Sequence, residues 1–125
     1  ATPSGNGFLS NCKGVQIHPI FYRWSKNKLI TLFLYMYSQF QIFVKFFRLT
    51  NRKDIVYINS LLPFGAALAA KLKGALILYH IHEVSIRPKL LKRFLLYIAQ
   101  QTADKAIFVS EDLCTRTPFL KSFIN

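Results

Sequence analysis

The stretch Ala75-Leu76-Ile77-Leu78-Tyr79-His80-Ile81-His82-Glu83 constrains this chain most. It runs apolar without interruption and then stops in ionisable groups. A continuous run of that length, rich in Ile, Leu and Tyr, suits a strand buried on both faces of a parallel sheet. Side chains at the carboxyl end of such a strand reach a ligand while the strand stays dry. The question is therefore what else arrives at that edge.

Two further segments have the same character. Asp54 to Asn59 reads as a second buried strand, and Lys105 to Val109 as a third. Between the first two lies a helix expected from Leu61 to Lys73, with Ser60 as its cap, Pro63 in its first turn and Gly74 as its stop. Its Gly65, Ala66, Ala67, Ala69 and Ala70 allow a close approach to the sheet. Lys89 to Thr102 carries Leu90, Leu91, Phe94, Leu95 and Ile98 as one apolar stripe, and Ser110 heads a helix whose first turn holds Glu111 and Asp112. Val15 to His18 alternates and is stopped by Pro19, which suggests a short edge strand. Phe21 to Lys28 is a basic aromatic loop around Trp24. The alternation predicts an α/β fold: a Rossmann-like parallel sheet with helices on both faces. Three strand ends then converge: Asn59 and Ser60, His80 to Glu83, and Ser110 with Glu111.

The strongest helix lies from Lys28 to about Leu49, where Leu29, Phe33, Met36, Phe40, Phe43 and Phe47 recur at spacings of four and three. Thr31, Ser38 and Lys45 fall opposite, with Leu34, Tyr35 and Ile42 on the flanks. This breadth of apolar surface fits a helix squeezed between the sheet and a neighbour. It also fits contact with a bilayer surface, helped by Lys45, Arg48, Arg52 and Lys53. Ser38, Gln39 and Gln41 leave the segment short of the roughly 20 clean residues of a spanning helix, so no transmembrane segment is expected. Nor does a signal-peptide pattern follow Ala1.

The 125 residues suffice for one domain, and a net charge of +12, from 17 Lys and Arg against 5 Asp and Glu, implies an anionic partner. Nucleic acid, anionic lipid and phosphorylated metabolites all qualify. Tyr22, Trp24 and Tyr35 could stack on bases, yet no nucleic-acid motif is present and no nucleic acid is expected. Cys12 and Cys114 have no metal or redox spacing and read as isolated thiols of an intracellular protein, with a bridge left open.

Taken together, Asp54 to Pro63 (Asp-Ile-Val-Tyr-Ile-Asn-Ser-Leu-Leu-Pro), Tyr79 to Glu83, and Thr102 to Glu111 (Thr-Ala-Asp-Lys-Ala-Ile-Phe-Val-Ser-Glu) resemble the amino-terminal domain of the group 4-like glycosyltransferases of the GT-B fold. The resemblance covers Asp54 to Glu111 well and Val15 to Arg52 loosely. It implies a retaining glycosyltransferase that builds cell-surface polysaccharide or lipopolysaccharide. Residues 1–125 would then be part of the acceptor-side domain, incomplete without a carboxy-terminal donor-binding domain and inactive alone. The implied substrates are a nucleotide-sugar and a glycan or polyprenyl-linked acceptor, with no cofactor and no metal, and the implied location is cytoplasmic, peripheral on the inner face of the membrane.

By this resemblance His82 contacts the transferred sugar, and Ser110 and Glu111 face the same cleft. Read from their chemistry alone, Glu83 either orients His82 or caps the next turn, and Asn59 and Ser60 carry groups suited to binding a sugar or phosphate, although helix capping explains Ser60 fully. Arg87, Lys89, Lys92 and Arg93 would meet a membrane or an acceptor diphosphate, although a solvated helix face is the plainer reading of such a run. His80 shares a face with His82, but no further ligands are spaced for a metal. The glycine-rich turn of the family has no counterpart here. The alternative function is a non-catalytic, basic Rossmann-like module that binds a membrane surface or another anionic partner.

Overall fold

The structure is a computed structural model and describes residues 13, 14, 16, 18, 20, 23, 25–82 and 86–108. Of the strand expected at Val15 to His18 only Gln16 and His18 are described, neither of them in a strand; the loop residues Glu83 to Ser85 and everything from Val109 onward, including Ser110 and Glu111, lie outside the described residues. Six elements follow in order: α1 (Lys28–Leu49), β1 (Ile55–Ile58), α2 (Phe64–Lys73), β2 (Leu76–Ile81), α3 (Lys89–Thr102) and β3 (Lys105–Phe108). The three strands form one parallel sheet in the order β1-β2-β3, with Ile55 opposite Leu76, Ile58 opposite Tyr79 and Ile81 opposite Phe108. The fold is α/β.

The strands are buried on one face. Val56, Ile58, Ile77, Tyr79 and Ile81 point into the core, whereas Ile55, Tyr57, Leu76 and Ile107 are exposed. Two parallel crossovers of the same right-handed sense between strands in sequence order put both crossover helices on one side, and α2 and α3 do touch each other. Among the described residues, then, helices cover one face of the sheet rather than both. The unbroken apolar runs predict burial, and what they do not specify is that nothing described covers the second face.

Helix α2 is the centre of the packing. It contacts α1, α3, β1 and β2, and its Ala67, Ala69 and Ala70 are completely buried. Small side chains are what let four neighbours approach one short helix. It starts at Phe64 and not at Leu61, because proline disfavours helical geometry in the residue before it and so holds Leu62 out of the helix. Ser60 therefore does not cap α2. Its Oγ accepts a hydrogen bond from the Leu62 N–H at 3.0 Å within the preceding turn. Gly74 ends the helix as expected, in the left-handed region at φ 71°, its N–H donating to the Ala70 and Lys71 carbonyls.

The boundaries of α1 agree with its sequence pattern, and Asn27 caps it by accepting from the Leu29 N–H. Its orientation is the reverse of the sandwiched arrangement. The face against α2 is built from Ser38, Gln39 and Ile42, which are buried, with Tyr35 and Phe46 partly so. The Gly65 N–H donates to Gln39 Oε1 at 3.1 Å, and the Tyr35 hydroxyl donates to the Leu62 carbonyl at 2.6 Å. A Cβ at position 65 would collide with the Gln39 carbonyl, so the two helices meet backbone to backbone. The apolar stripe faces outward: Leu29, Phe33 and Phe40 are 67%, 76% and 64% exposed, and Met36 and Phe47 are also exposed.

Helix α3 turns most of its expected stripe inward, with Leu91 packed partly against the core. Leu95, Ile98, Ala99 and Thr102 are buried, while Leu90 and Phe94 of the expected stripe are exposed. Two aspartates close the amino edge of the sheet. The Asp54 carbonyl accepts from the Leu76 N–H at 3.0 Å, and Asp104 Oδ2 accepts from the Ile77 N–H at 2.8 Å. The Asp54 side chain also accepts from the Asn51 N–H at 2.7 Å, so both aspartates have a structural task at the edge opposite His82.

Candidate functional site at the carboxyl edge of the sheet

Strand β2 is the longest strand and the middle one, so its carboxyl end projects past β1. Ile58 is opposite Tyr79, which leaves His80, Ile81 and His82 beyond the paired part of β1. The period of two sends Ile81 into the core and keeps His80 and His82 together on the uncovered face, where their ring centroids lie 6.0 Å apart at 65°. His82 is exposed and His80 half-buried.

His80 has a partner that the sequence reading missed. The Tyr57 hydroxyl lies 2.6 Å from His80 Nδ1, and the two rings are tilted at 6.0 Å. With Nδ1 as the acceptor, the phenol donates and Nε2 carries the ring proton. The signal for Tyr57 lay in the register. Tyr57 is opposite Leu78, so His80 is its diagonal neighbour on the same face, within reach of an aromatic side chain.

Asn59 is exposed at the end of β1, and Ser60, half-buried, is held in its turn by the Leu62 N–H. Arg87, Lys89 and Arg93 are exposed and Lys92 half-buried, all at the head of α3, which begins on the same edge of the sheet as His82. No acidic residue lies in the first turn of α3 and no side chain among the described residues caps it, so its N-terminal N–H groups add to the positive charge there. The edge therefore combines imidazole and phenol groups with a basic helix start. Such a set can hold hydroxyls and phosphate oxygens by donating hydrogen bonds, and an imidazole can move a proton.

Two other features bound the site. Two cavities among the described residues lie away from this edge: one is lined by His18, Ile20, Lys45, Phe46, Leu49 and Thr50, and another by Arg52, Lys71, Gly74, Ala75, Leu76 and Asp104 at the amino edge of the sheet. The strands also run in sequence order, so no reversal of strand order, where α/β sheets open a ligand crevice, falls among the described residues. Among those residues no three His, Cys, Asp or Glu side chains gather as a metal site. Comparison with known proteins finds no matching family model, no matching curated protein and no matching solved structure.

Proposed function

We propose that the chain is the acceptor-side part of a retaining glycosyltransferase with a Rossmann-like, GT-B type amino-terminal domain. In this reading the complete enzyme moves a sugar from a nucleotide-sugar to a glycan or polyprenyl-linked acceptor in the building of cell-surface polysaccharide. It works on the cytoplasmic side of the membrane. The observation that supports the reading is the exposed His82 at the carboxyl end of the central parallel strand.

In the proposed mechanism His82 hydrogen-bonds a hydroxyl of the transferred sugar and orients it at the reacting carbon. His80, held by Tyr57, lies behind it and limits where the His82 ring can turn. Asn59 offers an amide to the acceptor, and Ser60 is kept for the turn. Arg87, Lys89, Lys92 and Arg93, with the N-terminus of α3, meet the acceptor diphosphate. The donor is left to the carboxy-terminal half of such an enzyme.

The test is His82→Ala and His82→Gln in the complete gene product. Turnover is expected to fall roughly a hundredfold, the scale of removing one positioned hydrogen-bonding group at a reacting centre. The unfolding midpoint should stay put, because the side chain is exposed. Unchanged turnover in both variants contradicts the assignment. A parent protein that transfers no sugar yet still binds anionic surfaces favours the non-catalytic module.

A further inference from the structure

Helix α1 is long and apolar enough to cross a bilayer by length and composition, a property that buried core helices share. Most of α1 is not buried. Its outward side presents Leu29, Ile30, Leu32, Phe33, Met36, Tyr37, Phe40 and Phe47, all exposed, along a helix of 22 residues. Soluble monomers seldom leave so large a contiguous apolar surface uncovered.

Charge decides among the occupants of that face. The helix has no acidic residue, and exposed cations flank it at both ends: Lys26 and Lys28 before and within its first turn, and Arg48, Arg52 and Lys53 at and beyond its last. Cations at a helix N-terminus oppose the helix dipole, a cost that nearby phosphate groups offset. A second copy of this chain would bring another +12 against the first, so self-association through α1 works against its own electrostatics. An anionic bilayer satisfies both the stripe and its ends.

The inner side of α1 decides how the helix lies. Gln39 and Tyr35 are bonded to α2, and backbone meets backbone at Gly65. A spanning α1 would have to abandon these contacts or draw α2 into hydrocarbon with it. We propose that α1 is an in-plane membrane anchor, with its Phe33 and Phe40 face immersed at the headgroup and acyl boundary of an anionic membrane and its Gln39 face fixed to the domain. This mode needs no glycosyltransferase activity. It would also hold the strand ends at a constant height above the lipid.

The test is co-sedimentation of the 125-residue chain with phosphatidylcholine vesicles containing about a third phosphatidylglycerol, against pure phosphatidylcholine, at low and high salt. Binding is expected only to the anionic vesicles, weakening with salt. The double variant Phe33→Ser, Phe40→Ser should lose roughly a hundredfold in partitioning, about tenfold for each ring withdrawn from hydrocarbon, with unchanged far-ultraviolet circular dichroism. Alkaline wash should release the bound protein. Equal binding by parent and variant overturns the proposal, as does absence of binding to anionic vesicles. Resistance to alkaline extraction overturns the in-plane mode. A salt-insensitive dimer that dissociates on the same double substitution assigns the face to a second copy instead, and also overturns it.

Discussion

Replacing Gly65 by Ala tests the seat of α1 on α2. In a helix that is free on that side, the change would stabilise by about 0.5–1 kcal/mol through backbone entropy and helix propensity. Here the added Cβ meets main-chain atoms, the Gln39 carbonyl and the Phe43 nitrogen, which cannot rotate away as a side chain could. Moving α1 back costs about 1–3 kcal/mol as overpacking. The retreat also lengthens the buried Gly65 N–H to Gln39 Oε1 bond, for about 1 kcal/mol more. The net expectation is a loss of about 2 kcal/mol, which lowers the urea midpoint by roughly 1 M. Urea titration followed by circular dichroism gives the answer. Gly74→Ala is a useful comparison, since its left-handed φ of 71° costs about 1–2 kcal/mol while its nearest neighbour is only the flexible Arg52 side chain. A Gly65→Ala protein as stable as the parent, or more stable, refutes the close contact and with it the outward orientation of the apolar stripe.

Other consequences follow from the amino edge and from the core. Asp104→Ala removes the acceptor of the Ile77 N–H and should cost about 1–2 kcal/mol in the same titration, whereas Lys71→Met should be near neutral because the Lys71–Asp104 pair at 3.4 Å is exposed. Burial raises the pKa of Tyr79 above its usual 10, with the Thr102 side chain opposing the shift. A tyrosine that ionises later in the folded state than in the unfolded one gives stability that is complete below pH about 10 and is lost as pH climbs from there through the folded value. Tyr79→Phe should therefore flatten the alkaline limb of a stability profile measured between neutral pH and pH about 11; an unchanged limb contradicts the burial of that phenol. Tyr57→Phe removes the partner of His80 Nδ1 and should shift the ring-nitrogen resonances of His80 with little change in stability. Unmoved resonances mean that the bond is not made.

Element positions were legible because they depend on local rules. The limits of α1 follow from its apolar period, and the end of α2 from Gly74. The start of α2 was misplaced because a serine suited to capping lies three residues before a proline, and the steric restriction that proline places on Leu62 outweighs the cap. Which face of α1 is buried was not legible. An apolar period marks the face that avoids water without saying what it meets. The inner face was selected by fit to a small-residue helix, so Ser38 and Gln39 are buried where Phe33 and Phe40 would be too large to let the backbones touch. Likewise the unbroken apolar runs of β1 and β2 indicate two apolar faces, but covering the second needs another layer that a strand's own residues do not specify. Of the candidate site, His82 and Asn59 were found from their places at strand ends. Tyr57 was missed because its meeting with His80 depends on strand register, which only the pairing of β1 with β2 supplies.

The measurement closest to the centre of the functional account is sugar transfer by the complete gene product, supplied with nucleotide-sugars and a polyprenyl diphosphate-linked acceptor, with the anomeric configuration of the product read by proton NMR. The account predicts transfer with retention of configuration, lost in His82→Ala while the protein stays folded. Transfer with inversion, or transfer that is indifferent to His82, would contradict it.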